Sequence, residues 1–151
     1  MLKRVISGGQ TGVDRAALDV AIELGLDHGG SCPRGRKAED GPIADRYQLT
    51  ELDSPNYAVR TRQNVLDADA TLILVRGPLT GGTSLTLRKA QQYERPYLVV
   101  DLDQPPDPAS LREYLADEQI ETLNIAGPRE STDPGVYQAA AAYLRLVLSP
   151  S

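Results

Sequence analysis

The segment Ala70 to Val75, Ala-Thr-Leu-Ile-Leu-Val, is a nearly continuous run of small, β-branched and aliphatic residues. That is the pattern of a strand covered on both faces. Such a strand belongs in a parallel sheet, whose crossover helices cover both faces, and the flanking segments supply them. Lys3 to Ser7 reads as a short β-branched strand. After a glycine break, Val13, Ala16, Ala17, Val20, Ala21 and Leu24 follow at helical spacing, with Gly25 closing the helix. Leu26 to Cys32 reads as a second strand, Gln48 to Leu52 as a further short one, Tyr97 to Asp101 and Thr122 to Ile125 as the last two. Helices are predicted over Tyr57 to Asp67, Thr83 to Glu94 and Ala109 to Ala116. A terminal helix started by Asp133-Pro134 carries the stripe Val136, Ala140, Tyr143, Leu144 and Val147. The alternation predicts one α/β domain over residues 1–151, a Rossmann-like three-layer α/β/α arrangement with a mostly parallel, doubly wound sheet.

Composition narrows the partners. The chain of 151 residues is 40% hydrophobic and 25% charged, enough for one core without disulfides or a structural metal. A net charge of -5 repels polyanions, and neither a basic run nor a cluster of stacking aromatics is present, so no nucleic acid is expected as a partner. The single cysteine, Cys32, has no internal disulfide partner, and with the single histidine, His28, it leaves no soft-ligand cluster for a directly coordinated metal. No stretch has membrane-spanning length and no signal-peptide pattern opens the chain. A cytoplasmic location without a membrane partner is the expectation.

Ligands of such sheets bind at the strands' C-terminal ends, so the loops after strands carry the functional argument. In Ser7-Gly8-Gly9-Gln10-Thr11-Gly12-Val13-Asp14, the glycines allow close backbone approach, and the following helix offers free N–H groups and the positive end of its dipole. An oxyanion is expected there, with Gln10 and Thr11 adding side-chain donors and Asp14 standing in the first helical turn as a charge partner. The loop lacks the Gly-Lys-Ser/Thr ending of a P-loop and the G-x-G-x-x-G spacing of a dinucleotide site. Where a ribose-binding acid would end the second strand, Arg34 stands instead. The loop Pro33 to Pro42 gathers Arg34, Arg36 and Lys37 around Gly35. It either closes over an anion with its guanidinium forks or forms a solvated cluster with Glu39 and Asp40. Arg60, Thr61, Arg62 and Asn64 begin the helix from Tyr57, some facing the crevice and the rest solvent. Gly77-Pro78-Leu79-Thr80-Gly81-Gly82-Thr83-Ser84 is a second loop of glycines and hydroxyls between a buried strand and a helix. Gly127-Pro128-Arg129-Glu130-Ser131 adds a cation and a hydroxyl at the same edge.

Taken together, Ser7 to Arg15, Cys32 to Arg36, Ala38 to Gly41, Arg60-Thr61, Asn64-Val65, Gly81-Gly82-Thr83 and Gly127 to Ser131 resemble the molybdenum carrier family. This molybdenum cofactor carrier-like group lies in the wider SLOG, lysine-decarboxylase-like Rossmann superfamily, and the resemblance spans nearly the whole chain. It implies a Rossmann-like fold, a homo-oligomer, and a binding protein for a small anionic, phosphate-bearing ligand. That ligand would be the molybdenum cofactor (molybdopterin) or molybdate, with molybdoenzymes as receiving partners. The cofactor's metal is held by its own dithiolene, in keeping with the poverty of cysteine and histidine here. On this reading the site comprises Gly8, Gly9, Gln10, Thr11, Gly12, Asp14, Arg34, Gly35, Arg36, Arg60, Thr61, Asn64, Gly81, Gly82 and Thr83. The glycine loops hold oxygens while Arg34, Arg36 and Arg60 neutralise charge.

Two other functions compete. The related phosphoribohydrolases cleave nucleoside monophosphates, but their glycine motif carries a glutamate in the following turn, whereas here that turn is Ser84-Leu85-Thr86-Leu87. A displaced carboxylate, Asp14, Glu39 or Asp40, would have to serve as the catalytic group. The third function is a nucleotide-binding sensor, which would need a separate effector.

Overall fold

The strand Ala70–Val75 (β7) is buried along its whole length and pairs in parallel on both sides. The computed structural model describes residues 1–149. In chain order the other elements are β1 (Arg4–Ile6), α1 (Val13–Glu23), β2 (Asp27–Gly29), β3 (Ser31–Cys32), β4 (Lys37–Ala38), β5 (Gly41–Pro42), β6 (Thr50–Glu51) and α2 (Tyr57–Asp67). After β7 come α3 (Gly81–Gln92), β8 (Tyr97–Asp101), α4 (Pro108–Asp117), β9 (Thr122–Ala126) and α5 (Val136–Leu148). The main sheet has five parallel strands in the order β2-β1-β9-β7-β8.

Strand side chains alternate between the two faces. Val5, Leu72, Leu74, Val100, Leu123 and Ile125 form one core with the apolar sides of α1, α4 and α5. Ile6, Thr71, Ile73 and Asn124 alternate with them and turn to the opposite face, the side of α2 and α3. The result is the three-layer α/β/α Rossmann-like fold that the alternation predicts. Its last strand in sequence, β9, lies between β1 and β7. From β1 the chain crosses to β2 on one side, and from β7 to β8 on the other. The crossovers therefore diverge around β9, which opens a crevice at the C-terminal ends of these strands. No helix among the described residues is long and apolar enough to cross a membrane.

Several expected boundaries move, each for a tertiary reason. Leu26 to Cys32 is two strands, because Gly30 breaks it at φ 122°. A Cβ on Gly30 would lie 2.1 Å from the Ser7 carbonyl oxygen. Beyond this break Ser31–Cys32 leaves the main sheet and pairs with Thr50–Glu51, all that forms of the strand expected from Gln48 to Leu52. The long polar loop holds the small hairpin β4–β5, seated on α1 through Leu18, Cys32, Ala38, Ile43 and Tyr47. Helix α3 starts at Gly81, ahead of Thr83, so both glycines lie in its first turn. Helix α5 starts at Val136 instead of Asp133-Pro134, because Asp133 pairs with Arg76 at 2.8 Å and Gly135 turns the chain at φ 94°.

Candidate functional site

The crevice around β9 holds a cavity of about 630 Å³. The loop after β1 contributes Gly8, Gln10 and Asp14, while α2 contributes Tyr57, Arg60, Thr61 and Asn64. The start of α3 contributes Thr80 to Thr83, and the end of β9 with its loop contributes Asn124, Gly127, Arg129 and Ser131. Such a volume is that of an organic ligand, far more than one tetrahedral oxyanion fills.

A buried ion pair forms its floor. Asp14 Oδ2 accepts from Arg60 Nη1 at 3.0 Å and from the Gln10 amide at 3.3 Å. The two side chains are only 8% and 11% exposed. Burial pushes the Asp14 carboxyl above its ordinary range, against the pull of Arg60, the Gln10 N–H and Arg15. The guanidinium lies across Gly8, where a Cβ would stand 1.6 Å from Nη1. Glycine is therefore required at this position by the arginine that covers it.

The N-terminus of α1 is covered by the loop after β9, which leaves an added Cβ on Gly12 only 2.2 Å from the Pro128 carbonyl oxygen. The Val13 amide donates to the Pro128 carbonyl at 3.2 Å, and the Thr11 amide to Gln10 Oε1 at 3.1 Å. The N-terminus of α3 is open: the Thr83 and Ser84 amides donate back to the Thr80 carbonyl, whereas the Gly81 and Gly82 amides have no partner among the described residues. Both glycines are exposed, and no atom lies within 4 Å of a Cβ built on either.

The hairpin β4–β5 straps the first loop down. Glu39 accepts from the Thr11 hydroxyl, and from the Ser131 hydroxyl at 2.5 Å and amide at 3.2 Å. Asp40 takes two bonds from Arg15, at 2.8 and 3.1 Å. Burial alone would raise the Glu39 carboxyl, but the bonds from Ser131 and Thr11 outweigh it and hold it low. The Arg15 bond does the same for Asp40. Beside the strap, the Tyr57 ring gathers Lys37 at 4.8 Å, Arg60 at 5.2 Å and Arg129 at 5.4 Å from its centroid, a cationic rim on the cavity wall.

Of the residues singled out in the sequence, the cavity brings together Gly8, Gln10, Asp14, Arg60, Thr61, Asn64, Gly81, Gly82 and Thr83. Gly9, Thr11 and Gly12 lie behind its wall. A Cβ on Gly9 would meet Leu49 at 2.6 Å, one on Gly12 would meet the Pro128 carbonyl at 2.2 Å, and Thr11 is bonded to Glu39. Arg34, Gly35 and Arg36 lie apart from it. Arg36 donates to the carbonyls of Ile43, Ala44 and Tyr47 and so staples its own loop. The Gly35 amide donates to Glu51, and Arg34 is exposed. Asn64 clasps both backbone groups of Ser31, at 2.7 and 3.0 Å, and so ties β3 to α2. Tyr57 and Asn124 escaped the sequence reading. Asn124 is a buried polar residue in an apolar strand, a signal that was available; Tyr57 carries none, since it opens a helix like any other residue.

Residues 5–148 match the sequence pattern of the circularly permutated YpsA SLOG family. Among solved structures, a crystal structure from Syntrophus aciditrophicus SB, of a protein named as an inferred molybdenum carrier, shares 44% identity. Its TM-score is 0.93, and the match covers 98% of this chain and 96% of the other. No curated protein matches the chain. The family match runs from β1 to the end of α5 and so spans every element that walls the cavity; this chain belongs to the circularly permutated YpsA SLOG family.

Proposed function

We propose that the cavity binds, without transforming it, a small organic ligand that carries a phosphate or similar anionic group, and that the protein serves as a carrier of the molybdenum cofactor. One observation carries the reading. The unpartnered Gly81 and Gly82 amides open the N-terminus of α3 onto the cavity and supply oriented donors and the positive end of a helix dipole for an anion, while the Arg129 guanidinium, 3.9 Å from Glu39, lines the same cavity. The Syntrophus relative's name supports the identity of the cargo. The donor set fits that cargo: backbone amides, hydroxyls and guanidinium groups suit a phosphate. Among the described residues no group of three or more histidine, cysteine or acidic side chains is placed to hold a metal. A metal arriving in this cavity would therefore keep the sulfur ligands of its own cofactor, and the chain's residues would bind and orient the organic part.

A second reading, cleavage of a nucleotide's N-glycosidic bond, draws on one observation: Asp14 is a carboxylic acid at the cavity floor with a raised pKa. Its bond to Arg60 opposes that role by engaging the same oxygen.

Native mass spectrometry with metal analysis, on protein purified gently from its host, tests the proposal. A phosphate-bearing pterin with molybdenum is expected on the wild type and absent from Gly82→Leu. Release of free base from nucleoside monophosphates, abolished by Asp14→Asn, would establish the enzyme in place of the carrier.

A further inference from the structure

Two donors in residues that line the cavity have no acceptor. Gln10 is 5% exposed. Its carboxamide oxygen accepts from the Glu39 amide at 2.8 Å and the Thr11 amide at 3.1 Å, and these two bonds fix which end of the amide is oxygen. The other end, Nε2, is buried without a partner. So is Nε of Arg60, whose Nη1 is committed to Asp14. These are the only buried side-chain nitrogens or oxygens without a partner among the described residues, and both belong to residues that line the cavity. An unpaired buried donor loses its bonds to water without replacement, and folded proteins retain few. Two in residues that line one cavity mark a place where an acceptor is missing.

Charge decides which acceptor. Arg60 is balanced by Asp14, Gln10 is neutral, and Arg129, beside the same Tyr57 ring as Arg60, already faces Glu39 at 3.9 Å, so a full anion on these two donors would meet the buried Asp14 carboxylate. The open N-terminus of α3, contributed to the same cavity by a different element, suits the anion. We infer that the pocket has a second recognition point: Gln10 Nε2 and Arg60 Nε take a neutral carbonyl oxygen on the organic part of the same ligand. This inference rests on the proposed anion site at α3. The preferred ligand is then a phosphorylated compound with an oxo-substituted ring, and a ring that presents an amino donor there is rejected, because it leaves both protein donors unpaired and adds a third.

The test titrates inosine monophosphate, adenosine monophosphate and inorganic phosphate by calorimetry. The two nucleotides share their phosphate and differ at ring position 6, an oxo acceptor against an amino donor, and with it at N1, a donor beside the oxo group and an acceptor beside the amino group. Wild-type protein is expected to prefer the oxo compound by about tenfold or more, the equivalent of one buried hydrogen bond. Gln10→Glu keeps an oxygen for the Thr11 and Glu39 amides and replaces Nε2 with a second oxygen. The oxo/amino affinity ratio, the quantity read, is expected to collapse or invert. In the unaltered protein, the Gln10 side-chain amide resonance should move on adding the oxo compound and stay in place with the amino compound. Equal affinities in the wild type, a ratio that survives Gln10→Glu, an unmoved amide resonance, or phosphate binding without binding of either nucleotide would each overturn the inference. Failure of the wild type to bind phosphate, or phosphate binding untouched by Gly82→Leu and Arg129→Ala, would overturn the anion-site reading beneath it.

Discussion

The loops after β1 and β7 are built from the same vocabulary, Ser-Gly-Gly-Gln-Thr-Gly and Thr-Gly-Gly-Thr-Ser, each running from a parallel strand into a helix. The fold uses them in opposite ways. In the first loop every glycine is approached by a different part of the protein: Gly8 by Arg60, Gly9 by Leu49 and Ile43, Gly12 by Pro128 and Arg129. In the second, Gly81 and Gly82 meet nothing within 4 Å of an added Cβ. The first loop is thus a packing junction, where missing side chains let α2, the strap region and the β9 loop converge. The second is a gap facing the cavity. Glycine serves close approach of protein to protein in the first, and in the second, on the proposed function, of ligand to protein.

The junction is most severely broken at its ion pair. Arg60→Met leaves Asp14 buried without its cation, a change that typically costs about 3–5 kcal/mol. The pH dependence identifies the cause. A carboxyl whose folded pKa is raised contributes stability below its unfolded value and loses it as pH rises through the folded value. Asp14 is already raised with Arg60 present and should rise further without it. The deficit, read by urea titration, should therefore be largest at neutral pH and shrink on mild acidification. Glu39 and Asp40 run the other way: with lowered pKa values, their contribution falls only as pH drops through those values. Acidification that stops above the ordinary carboxylate range isolates Asp14. A deficit independent of pH, or one no larger than that of an exposed pair, would mean that the junction is not closed.

Gly12→Ala probes the same junction without touching charge. The residue sits at φ 80°, ψ -131°, a conformation close to glycine's alone, and the new methyl would lie 2.2 Å from the Pro128 carbonyl, itself the acceptor for the Val13 amide. A loss of about 2–4 kcal/mol is expected from strain together with the displaced cap. Unchanged stability would show that the β9 loop yields freely, and the contrast with the second loop would then be one of degree.

How legible this was depends on how far each cause lay along the chain. β7, α1 and the apolar stripe of α5 follow from local periodicity, and their predicted positions agree with the structure to within a few residues. The split of Leu26 to Cys32 does not, because Gly30 is glycine on account of the Ser7 carbonyl, a contact that exists only once β1 and β2 are paired. Arg36 looks from its neighbours like an oxyanion ligand, yet three carbonyls of its own loop take its donors, which only the folded path of residues 43–47 discloses. Asp14 was visible as an acid in the first turn of a helix. Its partner Arg60 stands 46 positions later, beyond any local pattern. The glycine loops themselves were plain, but which of them packs and which opens was not, since that is a property of what surrounds each missing Cβ.

The smallest expected change in stability, and the sharpest test of the contrast, is Gly82→Ala. Gly82 lies in the first turn of α3 without a positive φ, and a methyl there meets open space. Alanine is the better helix former, so the variant should be as stable as the wild type or more stable by up to about 1 kcal/mol. Binding should move the other way: the methyl enters the volume where the anion approaches the Gly81 and Gly82 amides. Phosphate affinity, followed by calorimetry, should weaken from glycine to alanine and further to leucine while the urea midpoint holds or rises. Gly12→Ala should lose stability first, so the pair separates a glycine needed by the protein from one needed by its ligand. If alanine at 82 instead costs as much stability as alanine at 12, or if leucine at 82 leaves phosphate binding intact, then α3 begins as closed as α1 does and the anion has to be sought elsewhere along the cavity wall.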